Sequence, residues 1–231
     1  MQQQKILQKK YEGLTPDEKE ELLKLEESVE LEKAKPNIIG NFLSFVKYVW
    51  PEFIEGSHHK IINKKFNDLA EGKVKRLIIN MPPRHTKSEF ASYLLPAWMI
   101  GKDPKLKIIQ ATHTADLAID FGRKTKNLVD QDNYRELFST RLQEDSKAAG
   151  KWKTEQGGEY FAAGVGGAIT GRGANLLIID DPHKEQDIKK DSKAFDKAIN
   201  WYTSGPRQRL QPGGAIVVVM TRWSTKDLTG Q

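Results

Sequence analysis

A lysine and a serine follow a short apolar run early in the chain, at Lys87 and Ser88. The run, residues 77–79, predicts a buried strand, and the residues after Ser88 carry apolar side chains at helical spacing. A loop between a strand and a helix N-terminus directs unpaired N–H groups at an anion. The Lys87 ammonium would neutralise phosphate charge there, and the Ser88 hydroxyl would hold Mg²⁺. The pair therefore predicts a phosphate-binding loop.

Two adjacent acids supply the other half of such a site. Asp180 and Asp181 follow the apolar run 176–179, so we expect them at the carboxyl edge of a parallel sheet, where α/β folds bind ligands. One carboxylate can ligate Mg²⁺ and the other can orient an attacking water. Each motif alone also fits a plain helix start or turn. Both in this order indicate nucleotide binding.

Four further side chains are candidates for the same site. Residues 215–221 form the most strand-like run of the chain, and Thr221 at its end can contact a terminal phosphate. Arg172, between two glycines, can reach a phosphate or serve as a plain surface arginine. Tyr48 and Trp50 precede the loop and can cover a nucleotide base, with core packing as the alternative.

The remaining elements follow from caps and periodicity. Thr15, Pro16 and Glu18 predict the start of an amphipathic helix that packs on the main domain or on a partner and ends near Pro36. Strand, helix, strand order predicts that residues 77–79 and 106–112 form a parallel pair. Further helices are predicted over 41–49, 57–71 with Ile61 inward, from 115 towards 128, and over 194–201.

Composition narrows the class of protein. The chain has 231 residues, a net charge of +6 and no cysteine, which excludes disulfides and cysteine-ligated zinc. Its apolar runs are too short to cross a bilayer, so we expect no membrane contact. The clustered lysines can contact DNA or form a solvated face. The glycine-dense stretch 157–173 is predicted to be mobile or to adopt backbone shapes that other residues cannot.

Four of these segments, in order, resemble the ATPase domain of a tailed-phage terminase large subunit, the motor that packages DNA into procapsids. They are RLIINMPPRHTKS at 76–88, GVGGAITGRG at 164–173, IIDDP at 178–182 and VVMTRW at 218–223. The resemblance implies an α/β P-loop NTPase of the additional-strand type, with a mainly parallel sheet flanked by helices and further N-terminal helices. The Thr221 strand would lie between the Lys87 and Asp180 strands. Residues 36–231 would form the ATPase domain, and residues 1–35 an N-terminal helical appendage.

The resemblance also implies roles for individual residues. Ser88 and Asp180 would hold Mg²⁺, and Asp181 would orient the attacking water. Relatives usually have glutamate in that place, so Glu185 is a stand-in for Asp181. The catalytic residues would be Lys87, Asp181, Arg84 within the loop, Thr221 of the coupling motif, and Arg172 as a finger acting in trans. The predicted nucleotide-binding residues are Pro83, Arg84, His85, Thr86, Lys87, Ser88 and Glu89. Tyr48 and Trp50 are added as candidates for the base because of their position before the loop, and not because of the resemblance.

Thr86 stands where the phosphate-loop pattern has glycine, and Met81 stands at the other glycine position. If position 86 needs a positive φ, threonine costs roughly 1–2 kcal/mol of strain. Hydrolysis by the isolated domain would then be slow. Two alternatives to a motor therefore stay open: a nucleotide-binding assembly module with little turnover, and another DNA-dependent P-loop ATPase or helicase.

The resemblance implies partners as well as cofactors. The cofactors would be ATP and Mg²⁺, and the chain would act on double-stranded DNA within a homo-oligomeric ring, a pentamer. It would dock on the portal protein of a procapsid in the host cytoplasm and work with a small terminase subunit. No nuclease activity is expected from this chain.

Overall fold

The strands assemble into one sheet in the computed structural model, which describes residues 13–146, 148–169, 171–184 and 193–231. Within these residues the sheet has six strands in the order β1-β6-β5-β2-β4-β3. β3 is antiparallel to β4, and the other neighbours are parallel. The strands are β1 Arg76–Asn80, β2 Lys107–Thr112, β3 Lys151–Lys153, β4 Glu159–Gly164, β5 Ala174–Asp180 and β6 Leu210–Met220.

Helices cover both faces of this sheet. A π-helical segment, Glu89–Leu94, runs directly into α4, and a 3₁₀ turn, Pro206–Arg209, precedes β6. Among the helices that the structure describes, none combines the length and the hydrophobicity that a membrane-spanning helix requires. The helices are α1 Pro16–Gly40, α2 Phe42–Val49, α3 Ser57–Ala70, α4 Leu95–Lys102, α5 Ala115–Val129, α6 Asp132–Leu137 and α7 Ala194–Ser204.

Strand β6 is central and buried, as its sequence predicts. Residues 215–220 are all buried because helices cover both faces of the sheet. β6 lies between β1 and β5, so the Thr221 strand does separate the Lys87 and Asp180 strands. The register pairs Asn80 with Met220 and Asp180 with both Val219 and Thr112. Consequently four strands end side by side at one edge of the sheet.

Strand β1 differs from the prediction in two respects. It is one of the two edge strands of the sheet, and its side chains alternate in exposure, with Ile78 55% exposed. The prediction of a fully buried strand was therefore wrong. β1 and β2 are parallel but not neighbours, because β6 and β5 lie between them. Ile61 of α3, expected to point inward, is 67% exposed on the same side of the molecule as β1.

Helix α1 begins as predicted but ends later. The Thr15 side chain accepts the Glu18 N–H, and Glu18 accepts the Thr15 N–H, which completes a capping box. The helix then continues through Pro36 to Gly40. Tertiary contacts explain the continuation, because Ile38 is buried in the core and the Trp98 indole donates to the Ile39 carbonyl at 3.0 Å.

The middle of α1 does not pack on the domain as expected. Leu25 is 60% exposed and Val29 is 44% exposed. Charged side chains surround both residues on the same helix, so the apolar stripe is narrow. The prediction that this helix packs through its apolar face on the described domain was wrong for these two positions.

The glycine-dense stretch contains a strand that the sequence did not reveal. Residues 159–164 form β4, which pairs with β2 along its whole length. Gly164 ends β4 where α5 begins, and a Cβ there would lie 2.7 Å from the Ala115 amide nitrogen. Gly166 and Gly171 have positive φ, of 85° and 75°. These three glycines are thus required by close approach or by backbone shape.

We expect the cluster around α2 to dominate stability. Phe42 is fully buried, and its ring packs edge-on against Phe66, Phe90 and Trp98. Phe42→Ala should lower the free energy of unfolding by about 3–5 kcal/mol because it leaves a cavity. Urea denaturation measures the change. Ile61→Ala, at an exposed position of α3, is the control and should cost less than about 0.5 kcal/mol; equal losses would contradict this description of the core.

Candidate functional site

Residues 81–88 connect β1 to the π-helical segment and form the Lys87 loop. Arg84 and Thr86 have positive φ, of 63° and 59°, so position 86 does adopt the conformation that favours glycine. His85 Nδ1 lies 2.8 Å from the Pro83 carbonyl oxygen. The first helical bond joins the Phe90 N–H to the Thr86 carbonyl at 2.9 Å. The three N–H groups before Phe90 therefore lack partners in this helix and are available to an anion.

Lys87 is the cation of this loop. Its side chain is only 8% exposed, and its Nζ lies 3.0 Å from Oδ2 of Asp181. Asp181 itself is at a positive φ of 40° directly after β5. The structure thus brings together the two charged groups that the sequence separates by more than ninety residues.

Asp181 is held on its other side by the end of β6. Its Oδ1 accepts the Thr221 N–H at 2.9 Å, and its own N–H donates to the Val219 carbonyl at 2.9 Å. The Thr221 hydroxyl donates to the Met81 carbonyl at 3.3 Å. Thr221 therefore contacts both the Lys87 loop and the acid, while its hydroxyl does not contact Asp181.

Asp180 lies deeper, beneath Ser88. The Ser88 hydroxyl donates to Oδ1 at 3.1 Å, and the Ser92 hydroxyl donates to Oδ2 at 2.7 Å. Ser92 in turn accepts from Gln110 Nε2 at 3.0 Å. Ser92 and Gln110 are fully buried. A π-helical turn contains more residues than an α-helical turn, so the side chains after Ser88 point in other directions than they would in an α-helix. Such turns often occur at functional sites.

Burial governs the protonation of Asp180. It raises the pKa of this carboxyl from its ordinary value to about 6, and the nearby Asp181 carboxylate adds to the rise. Hydrogen bonds from Ser92 and Ser88, and the charge of Lys87, act in the opposite direction. A cation bound beside Asp180 would favour the ionised form.

An open cleft of ≈ 590 Å³ lies above these groups. It is bounded by residues that follow β1, β2, β5 and β6, as expected for ligand binding at the carboxyl edge of a parallel sheet. Its lining comprises Pro83, Lys87, His113, Thr114, Asp181, His183, Lys184, Thr221 and Trp223.

Five of the lining residues were not singled out from the sequence. His113 and Thr114 follow β2, and the His113 Nδ1 lies 3.2 Å from the Asp181 carbonyl. His183 and Lys184 follow the acids, and Trp223 follows Thr221. Asp180 and Thr221 were predicted to lie at the site because each stands at the end of a strand. The same argument applies to these five residues, because they follow strands that end at the same edge of the sheet.

Trp223 is fixed by a buried acid further along the chain. Asp227 is fully buried, and its Oδ2 accepts the N–H groups of Trp223 and Ser224 at 2.9 and 3.1 Å. The same oxygen pairs with Arg222 Nε at 3.0 Å. This cluster holds the turn after β6, so that an indole 40% exposed stands at the wall of the cleft.

Tyr48 and Trp50 are not brought to the cleft. The Tyr48 hydroxyl donates to Glu136 Oε2 of α6 at 3.1 Å. Burial, and to a lesser extent this contact with Glu136, raises the pKa of Tyr48 to about 12. The Trp50 ring packs against Phe53, with centroids 5.4 Å apart. In this structure both aromatic residues take the packing alternative, and neither lines the cleft near Lys87.

Arg172 lies at the opposite end of the strands from Lys87 and the two acids. It precedes β5 and forms an ion pair with Glu159 at the start of β4, and its guanidinium stacks 3.9 Å from the Phe161 ring centroid. From its first residue to Asp180, β5 advances by six residues, which corresponds to about 20 Å. Arg172 therefore does not contact Lys87 or the acids of its own chain.

The remaining predicted site residues lie on the loop or beyond the described chain. Arg84 and His85 are exposed on the Lys87 loop. Glu89 forms an ion pair with Lys124 of α5 at 2.9 Å and is turned towards that helix. Glu185, the stand-in for Asp181, lies outside the described residues.

Comparisons with known proteins agree with this geometry at the level of the fold. No known protein family and no curated protein matches the sequence. Among solved structures, the chain is similar to the crystal structure of the HK97 bacteriophage large terminase, with a TM-score of 0.50 and 12% sequence identity. The fold is terminase-like. The similarity covers 77% of this chain and 35% of that chain, so this chain spans about a third of the length of the terminase.

The donor set fits a small hard cation beside a polyanion. Ser88 and Asp180 offer oxygen atoms 3.1 Å apart, and oxygen ligands are those that Mg²⁺ prefers. The buried Lys87 ammonium and the free N–H groups of the loop complement phosphate oxygens. Together these groups are chemically suited to an anion with a small cation beside it.

The raised pKa of Asp180 predicts a pH-dependent cost. Because the folded pKa of about 6 exceeds the ordinary 3.8, this residue favours the fold most below pH 3.8, and that contribution is lost as pH rises through 6. Asp180→Asn should therefore stabilise the metal-free chain relative to the wild type, by up to about 3 kcal/mol at pH 8 and less at pH 5.

Urea denaturation at pH 5 and pH 8, in the presence of a chelator, measures this difference. Asp145→Asn replaces an exposed aspartate and should show no comparable pH dependence. A stability difference between Asp180→Asn and the wild type that is equal at both pH values would contradict the assignment.

Proposed function

We propose that this chain is the ATPase motor domain of a terminase large subunit, which hydrolyses ATP to move double-stranded DNA into a procapsid. The observation that carries the proposal is the convergence of Lys87 and Asp181, 3.0 Å apart, directly above the Ser88 and Asp180 pair. A cation-bearing loop and an acid pair at one sheet edge are the parts that phosphoryl transfer from ATP requires. The terminase-like fold supports the motor over other uses of this chemistry.

In this proposal the Lys87 loop binds the phosphates. The N–H groups of residues 87–89 and the Lys87 ammonium bind the β- and γ-phosphates, with Arg84 reaching the same anion from the exposed side of the loop. Ser88 and Asp180 would hold Mg²⁺, which supplies charge neutralisation for the phosphate oxygens. Ser92 and Gln110 keep the Asp180 carboxylate oriented towards Ser88.

Asp181 orients the attacking water in the same proposal. In the structure its Oδ2 is paired with Lys87, and its Oδ1 accepts the Thr221 N–H. When Lys87 binds a phosphate instead, Oδ2 becomes available to accept a hydrogen bond from water.

Thr221 connects this acid to the rest of the domain. It donates its N–H to Asp181 and its hydroxyl to the Met81 carbonyl. A change in the Asp181 carboxylate on hydrolysis would therefore reach the Lys87 loop and β6 together. This contact supports the coupling role that we propose for Thr221.

The partners follow from the motor proposal. Double-stranded DNA, a portal protein on the procapsid, a small terminase subunit and a homo-oligomeric ring are those of a complete terminase. Arg172 would act in trans, where it could reach the cleft of a neighbouring subunit. Its ion pair with Glu159 would then have to open in the ring.

A nucleotide-binding assembly module is the second candidate. The observation that favours it is Thr86 at a φ of 59°, where a β-branched residue is strained. A strained loop can bind nucleotide without supporting fast turnover. Phosphate release distinguishes the two, since the module would bind ATP tightly and release none.

The ATPase assignment predicts a specific loss at Lys87. Lys87→Ala should lower the steady-state rate of phosphate release by about 10²-fold or more, because it removes charge stabilisation of the transferred phosphate. Lys107→Ala, an exposed lysine at the opposite edge of the sheet, should leave the rate unchanged. An unchanged rate in Lys87→Ala protein would remove the site assignment.

The trans role of Arg172 is tested by mixing variants. Arg172→Ala and Lys87→Ala proteins, each inactive in the ring, should partly recover ATPase activity when combined, because one subunit then supplies the intact loop and its neighbour the intact arginine. Subunit exchange is confirmed first by native mass spectrometry. Mixed rings without recovered activity would contradict the trans role and leave Arg172 as the partner of Glu159.

A further inference from the structure

His59 lies directly against the Lys87 loop although it belongs to α3. Its ring is 4% exposed and packs against Phe53 and Phe90, with centroids 4.8 Å away in each case. Its Nε2 lies 2.6 Å from Oγ1 of Thr86. This contact joins α3 to the loop position whose backbone suits a threonine least.

One tautomer of His59 satisfies both of its ring nitrogens. The Gly56 N–H donates to Nδ1 at 2.7 Å, so Nδ1 carries no proton and Nε2–H donates to the Thr86 hydroxyl. Burial, more than the neighbouring His58, lowers the pKa of His59 and keeps the ring neutral. The Thr86 hydroxyl then donates to the His85 carbonyl at 2.6 Å.

These hydrogen bonds fix Thr86, the residue whose carbonyl accepts the first hydrogen bond of the helix. The Thr86 carbonyl accepts the Phe90 N–H, and the unpaired N–H groups that follow Thr86 depend on the direction set there. A glycine at position 86 would adopt this φ without help. Threonine needs an anchor, and its hydroxyl is the group that is anchored.

We propose that His59 is a positioning residue for the anion-binding Lys87 loop, acting through the Thr86 hydroxyl. Its Nε2–H holds Thr86 in the left-handed conformation, so that a loop without the usual glycine keeps the shape needed to bind phosphate. The identity of the anion rests on the proposed function. The hydrogen-bonded connection between His59 and Thr86 does not.

The chain offers variants that separate positioning from packing. His59→Phe keeps the ring between Phe53 and Phe90 but loses both nitrogens, and Thr86→Val keeps the β-branched shape but loses the hydroxyl. Thr86→Gly removes the need for an anchor. If His59 acts through Thr86, then His59→Phe has no further effect on the loop once residue 86 is glycine. A role in packing alone would persist in that background.

Two measurements report on the conformation of the Lys87 loop, and the first of them needs no nucleotide. Hydrogen exchange monitored by mass spectrometry reports the amides of residues 86–90 in the unliganded chain. Titration calorimetry with Mg²⁺ and a non-hydrolysable ATP analogue reports binding. We expect His59→Phe and Thr86→Val each to speed loop exchange and to weaken analogue binding by about tenfold, the effect of one lost hydrogen bond.

The double variants decide the proposal. His59→Phe with Thr86→Val should be no weaker than either change alone, and His59→Phe with Thr86→Gly should equal Thr86→Gly. His59→Gln, which retains a donor of similar reach, should recover most of the binding. Additive losses, or an equal loss from His59→Phe with glycine at 86, would overturn the positioning role.

The two readouts also separate this inference from the proposed function. Coupled exchange rates in a chain that binds no ATP analogue would support the positioning role and count against the ATPase. Analogue binding at full strength in His59→Phe would overturn the positioning role and leave the ATPase standing.

Discussion

The contact between Lys87 and Asp181 is the interaction on which the rest of the site depends. A lysine that is almost fully buried needs a counter-charge, because desolvation of an unpaired ammonium is costly. Asp181 supplies that charge at 3.0 Å. The pair also connects two distant parts of the sequence, the loop after β1 and the end of β5. A triphosphate that entered the cleft would compete with Asp181 for the same ammonium.

Sheet topology makes this contact possible. With β6 inserted between β1 and β5, the loop after β1 lies across one strand from the acids. Thr221, at the end of that inserted strand, donates to Asp181 and to Met81 and so spans the gap. The buried Asp180 then lies below Ser88, held by Ser92 from the π-helical segment. The binding groups are thus placed by regular elements, and the Lys87 loop supplies the strained part.

The sequence predicted that these groups lie at one edge of the sheet, but not the contacts between them or their surroundings. Residues 77–79, 176–179 and 215–220 are short apolar runs followed by polar groups, a pattern that placed Ser88, Asp180 and Thr221 at one edge of a sheet. β3 was missed because three residues are too few to show a periodic pattern. β4 was missed because it lies in a glycine-dense stretch, and glycine is uncommon inside strands. The continuation of α1 through Pro36 depends on contacts with Trp98 that no local signal reveals.

Side-chain partners were the least predictable part of the site. Tyr48 and Trp50 have the right position in the sequence for a nucleotide base, yet they pack against Glu136 and Phe53. Arg172 lies next to the acidic strand in sequence, but at that strand's opposite end in space. The anchor for Thr86 comes from His59, twenty-seven residues earlier. Such pairings arise from tertiary packing and have no signature in a single sequence.

The central claim is that Lys87 and the two acids bind one nucleotide. A crystal structure of the chain with Mg²⁺ and a non-hydrolysable ATP analogue tests it most directly. We expect Lys87 Nζ to leave Asp181 for the terminal phosphate, and the metal ion to contact Ser88 and lie next to Asp180. An analogue bound elsewhere, with the Lys87 and Asp181 pair intact, would contradict it.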